Sequence, residues 1–187
     1  MHKLLVTLVC CLWAYSVPIW ADEPVTRWLA IWPIDSFAYG GGINSEELQV
    51  VQEIVPDLLT SGLAASSRVR LVERRKLLEV LNEQKLGASE LADESTRLRL
   101  GRILGARYML FGSYLKLGPS WQIDLRLVDS ESGHILTSVA ADQQQGDLLT
   151  ATPFLANKLR VYLECGSPQA GEALPALCAD VAHVGPR

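Results

Sequence analysis

Two alternating runs, Tyr108 to Leu117 and Trp121 to Asp129, are separated only by Gly118-Pro119-Ser120. In the second, Trp121, Ile123, Leu125 and Leu127 alternate with Gln122, Asp124 and Arg126, which is the period of a strand with one buried face. The short Gly-Pro-Ser connection makes the pair a β-hairpin, one face of which must lie on a core. The rest of the chain has to supply that core.

The flanking segments can be read from their periods. Trp28 to Ile34 is a short apolar run ended by Asp35 and Gly40-Gly41-Gly42, which predicts a buried strand and then a loop. Trp28 and Trp32 fall on one face of it, and their apolar neighbours favour core packing over a stacking platform. Asn44 with Glu47 resembles a capping box, and Leu48, Val51, Ile54, Val55, Leu58 and Leu59 recur at helical spacing up to about Gly62. Pro56, with no N–H to give, should kink or restart that helix. Arg68 to Val72 alternates as a half-buried strand. Leu77, Leu78, Val80 and Leu81 form the apolar side of a helix from Arg74 to about Gln84. A helix from about Asp93 sets Leu100, Ile103 and Leu104 on one side and stops at Gly105. Beyond the hairpin, Asp129 to Gly133 turns the chain into a strand around His134 to Ala140. Helical spacing resumes from Gly146 to Leu163. The expected fold class is α/β, with helices packed on a mixed β-sheet in the order β-α-β-α-α-β-β-β-α.

The two ends differ in kind from this domain of residues 22–165. Residues 1–21 join Lys3, an apolar stretch and Ile19-Trp20-Ala21, which reads as a secretory signal peptide. That stretch is too short to cross a bilayer comfortably and no later one is longer, so no transmembrane segment is expected after cleavage. Val9 and Cys10 are not the small residue that normally precedes a lipidated Cys, which disfavours lipid attachment at Cys10 or Cys11. Cys165 and Cys178 remain as an even pair in an oxidising compartment, so a disulfide is expected to tie back the tail of residues 166–187.

Charge and motif content exclude several functions. The full chain carries a net −4, which disfavours nucleic acid as a partner. Residues 22–67 set Arg27 alone against seven acids, whereas residues 68–107 are net basic. Gly40-Gly41-Gly42 followed by Glu46-Glu47 lacks the spacing of a dinucleotide fingerprint or a P-loop and puts carboxylates where phosphate would sit. His134 and His183 have no Cys or carboxylate at metal-ligand spacing. No Ser stands in a nucleophile elbow, and Asp124 and Asp129 point to opposite faces of one strand. The expectation is a protein without enzymatic activity, cofactor or metal.

Three segments in order resemble one family. Val72 to Leu86 is similar to the "v-x-R-x-x-l-x-x-l-l-x-E-q" segment of the CsgG-like family of envelope assembly factors, with Arg74 and Glu83 at its Arg and Glu. Gly101 to Ser113 is similar to that family's "G-x-x-l-G-A-d-y-v-v-x-G-s", with Gly101, Gly105 and Gly112 in place and Arg107 where an acid is usual. Leu127 to Leu136 is similar to its "l-v-d-v-x-t-G-e-i-l", with Gly133 in place. The family includes the curli secretion component, the FlgO flagellar-assembly proteins and the LpoB activators of peptidoglycan synthases.

The resemblance implies a periplasmic or secreted module, associated in its relatives with the outer membrane, that binds other envelope proteins during secretion or assembly of a flagellum or curli-like structure. Activation of a peptidoglycan synthase is the alternative within the family. A polysaccharide-binding module using Trp28, Trp32 or Trp121 is the alternative outside it. Curli-secretion relatives carry long transmembrane insertions beside strands that here are joined by three residues, so no pore is expected. Helical spacing turns Leu98 and Arg102 outward with Arg99 beside them, and an exposed Leu among arginines suits docking. The acidic residues 22–67 offer that basic surface a counterpart in a second copy, which would make a homo-oligomer.

Overall fold

The computed structural model describes residues 27–84 and 93–165. The signal peptide of residues 1–21, Cys178 and the tail of residues 166–187 lie outside the described residues.

One mixed sheet of six strands organises the fold. Its order is β3 (Val69–Leu71), β1 (Arg27–Ile31), β4 (Tyr108–Leu117), β5 (Ser120–Asp129) and β6 (Ile135–Asp142). The expected hairpin is β4 and β5, paired antiparallel from Tyr108 with Asp129 to Leu117 with Ser120. β1 runs parallel to both β3 and β4. The fold class is as expected, with one strand more than the sequence reading supplied: β2 (Asp35–Tyr39) pairs with β4 beyond the end of β1.

β1 and β2 are two stretches of one line along β4, broken by Trp32-Pro33-Ile34. Ile31 pairs with Leu110 and Asp35 with Ser113, so the broken strand spends four steps where β4 spends three. Pro33 has no N–H for the ladder, and the extra residue is absorbed there as a bulge. Trp32 N–H holds the near side by donating to Leu110 O at 2.9 Å.

The first face of the sheet carries Leu29, Leu110, Tyr114, Ile123, Leu125 and Leu127, all buried. They lie under Val51, from the π-helical turn Val50–Ile54 that follows α1 (Ser45–Gln49), under Val55, Leu59 and Leu63 of α2 (Val55–Leu63), and under Leu155 and Leu159 of α5 (Leu148–Cys165). Asn44 caps α1, as expected, by accepting from Glu47 N–H at 2.8 Å. The Glu47 side chain does not close the box and turns to the sheet instead. Pro56 marks the restart expected of it: a π-helical turn, Val50–Ile54, ends α1, and α2 begins at Val55 with Pro56 in its first turn.

The second face carries Ala30, Trp32, Met109, Phe111 and Val128 under Leu77 of α3 (Arg74–Glu83) and Leu100 and Leu104 of α4 (Glu94–Ile103). Trp32 is thus a core residue, while Trp28 at the start of β1 is 46% exposed. Leu78, expected on the apolar side of α3, is largely exposed.

Candidate functional site

The residues of the three family-like segments serve first as locks between elements. Pro56 cannot donate to the carbonyl four residues before it, so Gln52 O is left without its helical partner. The Arg74 guanidinium fills that place, with Nη2 donating to Gln52 O at 2.6 Å. Arg74 therefore ties the start of α3 to the π-helical turn on the far side of the sheet edge. Glu83, the last residue of α3, is exposed. On the same helix Arg75 forms an exposed i,i+4 pair with Glu79.

The second and third segments meet in space. Arg107 pairs with Asp129 at 2.7 Å and also with Glu131, across the turn that joins β5 to β6. Ser130 Oγ donates to Ala106 O at 2.6 Å, and Ser130 N–H donates to Arg107 O at 3.0 Å. Asp129 accepts in turn from Glu131 N–H and Ser132 N–H. Burial acts to raise the Asp129 carboxyl, but the Ser132 hydrogen bonds and the Arg107 charge outweigh it and hold the group below its ordinary value. The acid usual at position 107 would repel Asp129, so the Arg is matched to this turn. Gly105 (φ +70°) ends α4 and Gly133 (φ +72°) closes the turn, both in the left-handed region that favours glycine. Gly101 and Gly112 serve close approach: a Cβ on Gly101 would lie 2.5 Å from Met109 Sδ, and one on Gly112 would lie 2.9 Å from Leu125.

This packing alters the expected docking helix. Leu98 is half-buried against the second core cluster, not turned outward, and Ile103 is 53% exposed where it was expected inside. Arg99 is exposed. Arg102 is also exposed, but its Nη1 donates to Ser130 O at 2.6 Å, so it too holds the β5–β6 turn.

A surface that the sequence reading missed lies farther along the same face of the sheet. Arg97 marks its border, only 11% exposed and paired with Asp35 through both guanidinium nitrogens at 2.8 and 3.3 Å. Its guanidinium carbon stands 5.8 Å from the Trp32 ring centre and 6.0 Å from that of Phe111. Arg126, bonded to Glu94, flanks Phe111 at 5.6 Å. Past this border, among the described residues, no helix covers the sheet. Phe37 is 53% exposed, Tyr39 66% and Leu117 49%, and the strand registers place them on one face with half-buried Leu115. β2 pairs with β4 on one side, and among the described residues no strand occupies its other edge. A contiguous apolar patch beside an open strand edge is a surface suited to a protein partner. The signal was present in Asp35-Ser-Phe-Ala-Tyr39, where aromatic residues alternate with small ones.

On the first face, Tyr114 O–H and Lys116 Nζ, the latter at 2.7 Å, donate to the same oxygen of Glu47. Burial acts to raise the Glu47 carboxyl, yet these two bonds and the Lys116 charge bring it below its ordinary value. Burial, then the Glu47 bond, pushes the Tyr114 phenol well above its own. Among the described residues no cluster of three His, Cys, Asp or Glu could hold a metal, and no helix is long and apolar enough to cross a membrane.

Residues 37–120 match the family model of the curli production assembly/transport component CsgG. No curated protein matches the sequence. Solved structures similar to the chain include the LpoB C-terminal domain from Salmonella enterica (20% identity, 62% of this chain and 81% of that chain, TM-score 0.49). The same domain from Escherichia coli shows 16% identity over the same shares, with a TM-score of 0.47. A PelC variant from Paraburkholderia phytofirmans, solved as a dodecamer, shows 15% identity, 74% of this chain and 88% of that chain, and a TM-score of 0.44. The stretch similar to that family, residues 37–120, contains the first two of the three ordered segments, Val72 to Leu86 and Gly101 to Ser113.

Proposed function

We propose that the protein is a non-enzymatic, protein-binding module of the periplasm that aids secretion or assembly of a surface structure, flagellar or curli-like. One observation carries this reading, the exposed Phe37 and Tyr39 on the part of the second sheet face that no helix covers among the described residues, beside a strand edge that none of those residues pairs. An extended segment of an envelope protein would add to β2 through its main chain and set apolar side chains on Phe37, Tyr39 and Leu117. Asp35 is neutralised by Arg97, so the strand presents no unpaired charge to such a partner.

The test is affinity capture from periplasmic extract with wild type and with a Phe37→Ser/Tyr39→Ser variant. Recovery of a flagellar or secretion component by wild type, lost in the variant, supports the reading. Recovery of a penicillin-binding protein would assign the chain to the synthase-activating branch, and recovery of glycan alone would reject protein binding. In the same compartment Cys165 and Cys178 would pair, closing a short loop for a stabilisation of about 3 kcal/mol. Alkylation of the secreted protein without reductant should then leave both thiols unmodified, and two alkylated cysteines would refute the pairing.

A further inference from the structure

On the first face, away from the β2 patch, the starts of α1 and α5 leave a cleft of about 330 Å³ above the hairpin. Its walls include Trp121, Tyr114 and Leu148, and its rim carries Glu46, Glu47 and Asp147. Among the described residues no lysine, arginine or histidine lines it.

The charges at this rim are unequal in their pairing. Glu47 is held by Lys116 and Tyr114 through one oxygen. Glu46 is exposed and forms no ion pair among the described residues. Asp147 caps α5 by accepting from Thr150 N–H at 2.7 Å, and the hydrogen bonds from Thr150 hold its carboxyl below its ordinary value, so it stays charged. The cleft therefore joins an aromatic wall to two carboxylates that form no ion pair among the described residues. An anion is repelled there, and a wholly apolar group would desolvate the carboxylates without pairing them.

We propose that this cleft receives a basic side chain, arginine or lysine, presented by a partner protein. The methylene stem would lie along Trp121 and Leu148 while the cationic head meets Glu46 and Asp147. A cation beside an indole ring gains a further attraction. The volume is at the small end for ligand sites, which suits one side chain better than a run of sugar rings. This site is separate from the β2 edge and does not depend on it.

Titration of the isotope-labelled protein, followed at the Trp121 indole N–H, tests the proposal with acetyl-Gly-Arg-Gly-amide and its citrulline counterpart as probes. The arginine peptide should give a saturable shift with a Kd on the order of 1–10 mM, as befits one anchored side chain. The citrulline peptide, isosteric but neutral, should bind at least about tenfold more weakly, and added salt should weaken the arginine peptide alone. Glu46→Gln and Asp147→Asn should each weaken binding several-fold, and Asn retains the helix cap, so folding is preserved. The Phe37→Ser/Tyr39→Ser variant should bind the probe as wild type does, which separates failure here from failure of the β2 surface. Equal binding of the two peptides, no saturable shift up to about 50 mM, or a stronger response to a neutral oligosaccharide would each overturn the proposal.

Discussion

The second face of the sheet is closed around Met109 and Phe111 but, among the described residues, has no helix over Leu115 and Leu117, although all four residues belong to β4. Helix length supplies the reason. A strand of ten residues extends for about 33 Å. α3 and α4, also ten residues each, span only about 15 Å. On the first face, α5 has 18 residues and reaches about 27 Å, and the chain from α1 through the π-helical turn to α2 is comparable. The face with long helices is covered along its length but for the cleft beside Trp121. The face with short ones is covered as far as the Arg97–Asp35 pair, and the aromatic residues beyond it stay in solvent. One strand can thus serve as core at one end and as contact surface at the other.

Substitutions on either side of that border should behave oppositely. The largest loss is expected inside the closed half, where Leu100→Ala removes a fully buried side chain and should cost about 2–5 kcal/mol in urea unfolding. Next comes Asp129→Asn, which leaves Arg107 with a weaker partner at the β5–β6 turn and should cost about 1–3 kcal/mol. Its pH dependence has a definite sign. The folded carboxyl lies below its unfolded value, so its contribution is full above the unfolded pKa and fades as pH falls through the folded one. Wild type should therefore lose stability on acidification more steeply than the Asn variant, and a parallel acid profile for the two would exclude Asp129 from this role.

Smaller still is Arg74→Met, which strips the donor from Gln52 O at a half-exposed position and should cost about 1 kcal/mol. Protection of the α1–α2 amides in hydrogen exchange should fall with it. The least change in stability belongs to the bare half. Phe37→Ser and Tyr39→Ser should each stay within about 0.5 kcal/mol of wild type in melting experiments. A loss as large as that of Leu100→Ala would show that the patch is core covered by some other part of the chain.

What the sequence made legible follows from how local each signal is. The β4–β5 hairpin, the Asn44 cap and the Gly105 stop are fixed by residues within a few positions of one another, and each stands as expected. β2 escaped notice because Pro33 and Gly40-Gly41-Gly42 bracket it with loop signals, and a five-residue strand paired on one side needs no apolar run. The orientation of α4 is hidden from the sequence for a related reason. Gly101 adds nothing to an apolar stripe, yet it is the point at which the helix touches Met109, and that contact leaves Ile103 outside and draws Leu98 in. Arg74 was legible as a motif residue but not as a cap, because the carbonyl it serves is orphaned by a proline in another helix. The docking patch could not be read at all without the lengths and placement of α3 and α4, since exposure is a property of what fails to cover a residue.

The bulge at Trp32-Pro33-Ile34 has a consequence for inheritance. Even-numbered Ala30 and Trp32 share the second face with odd-numbered Phe37, while even-numbered Ile34 lies in the core of the first. The parity of the strand changes across a single extra residue. A one-residue deletion there would close the bulge and leave Phe37 and Tyr39 opposite Leu115 and Leu117, on the same side of the sheet. A deletion between Asp35 and Phe37 has no spare residue to remove and would turn both aromatic side chains toward the opposite side. Descendants of such a chain could lose the spare residue before β2, and could exchange the amino acids of β2 within the limits of size and polarity, but could not change the count within it.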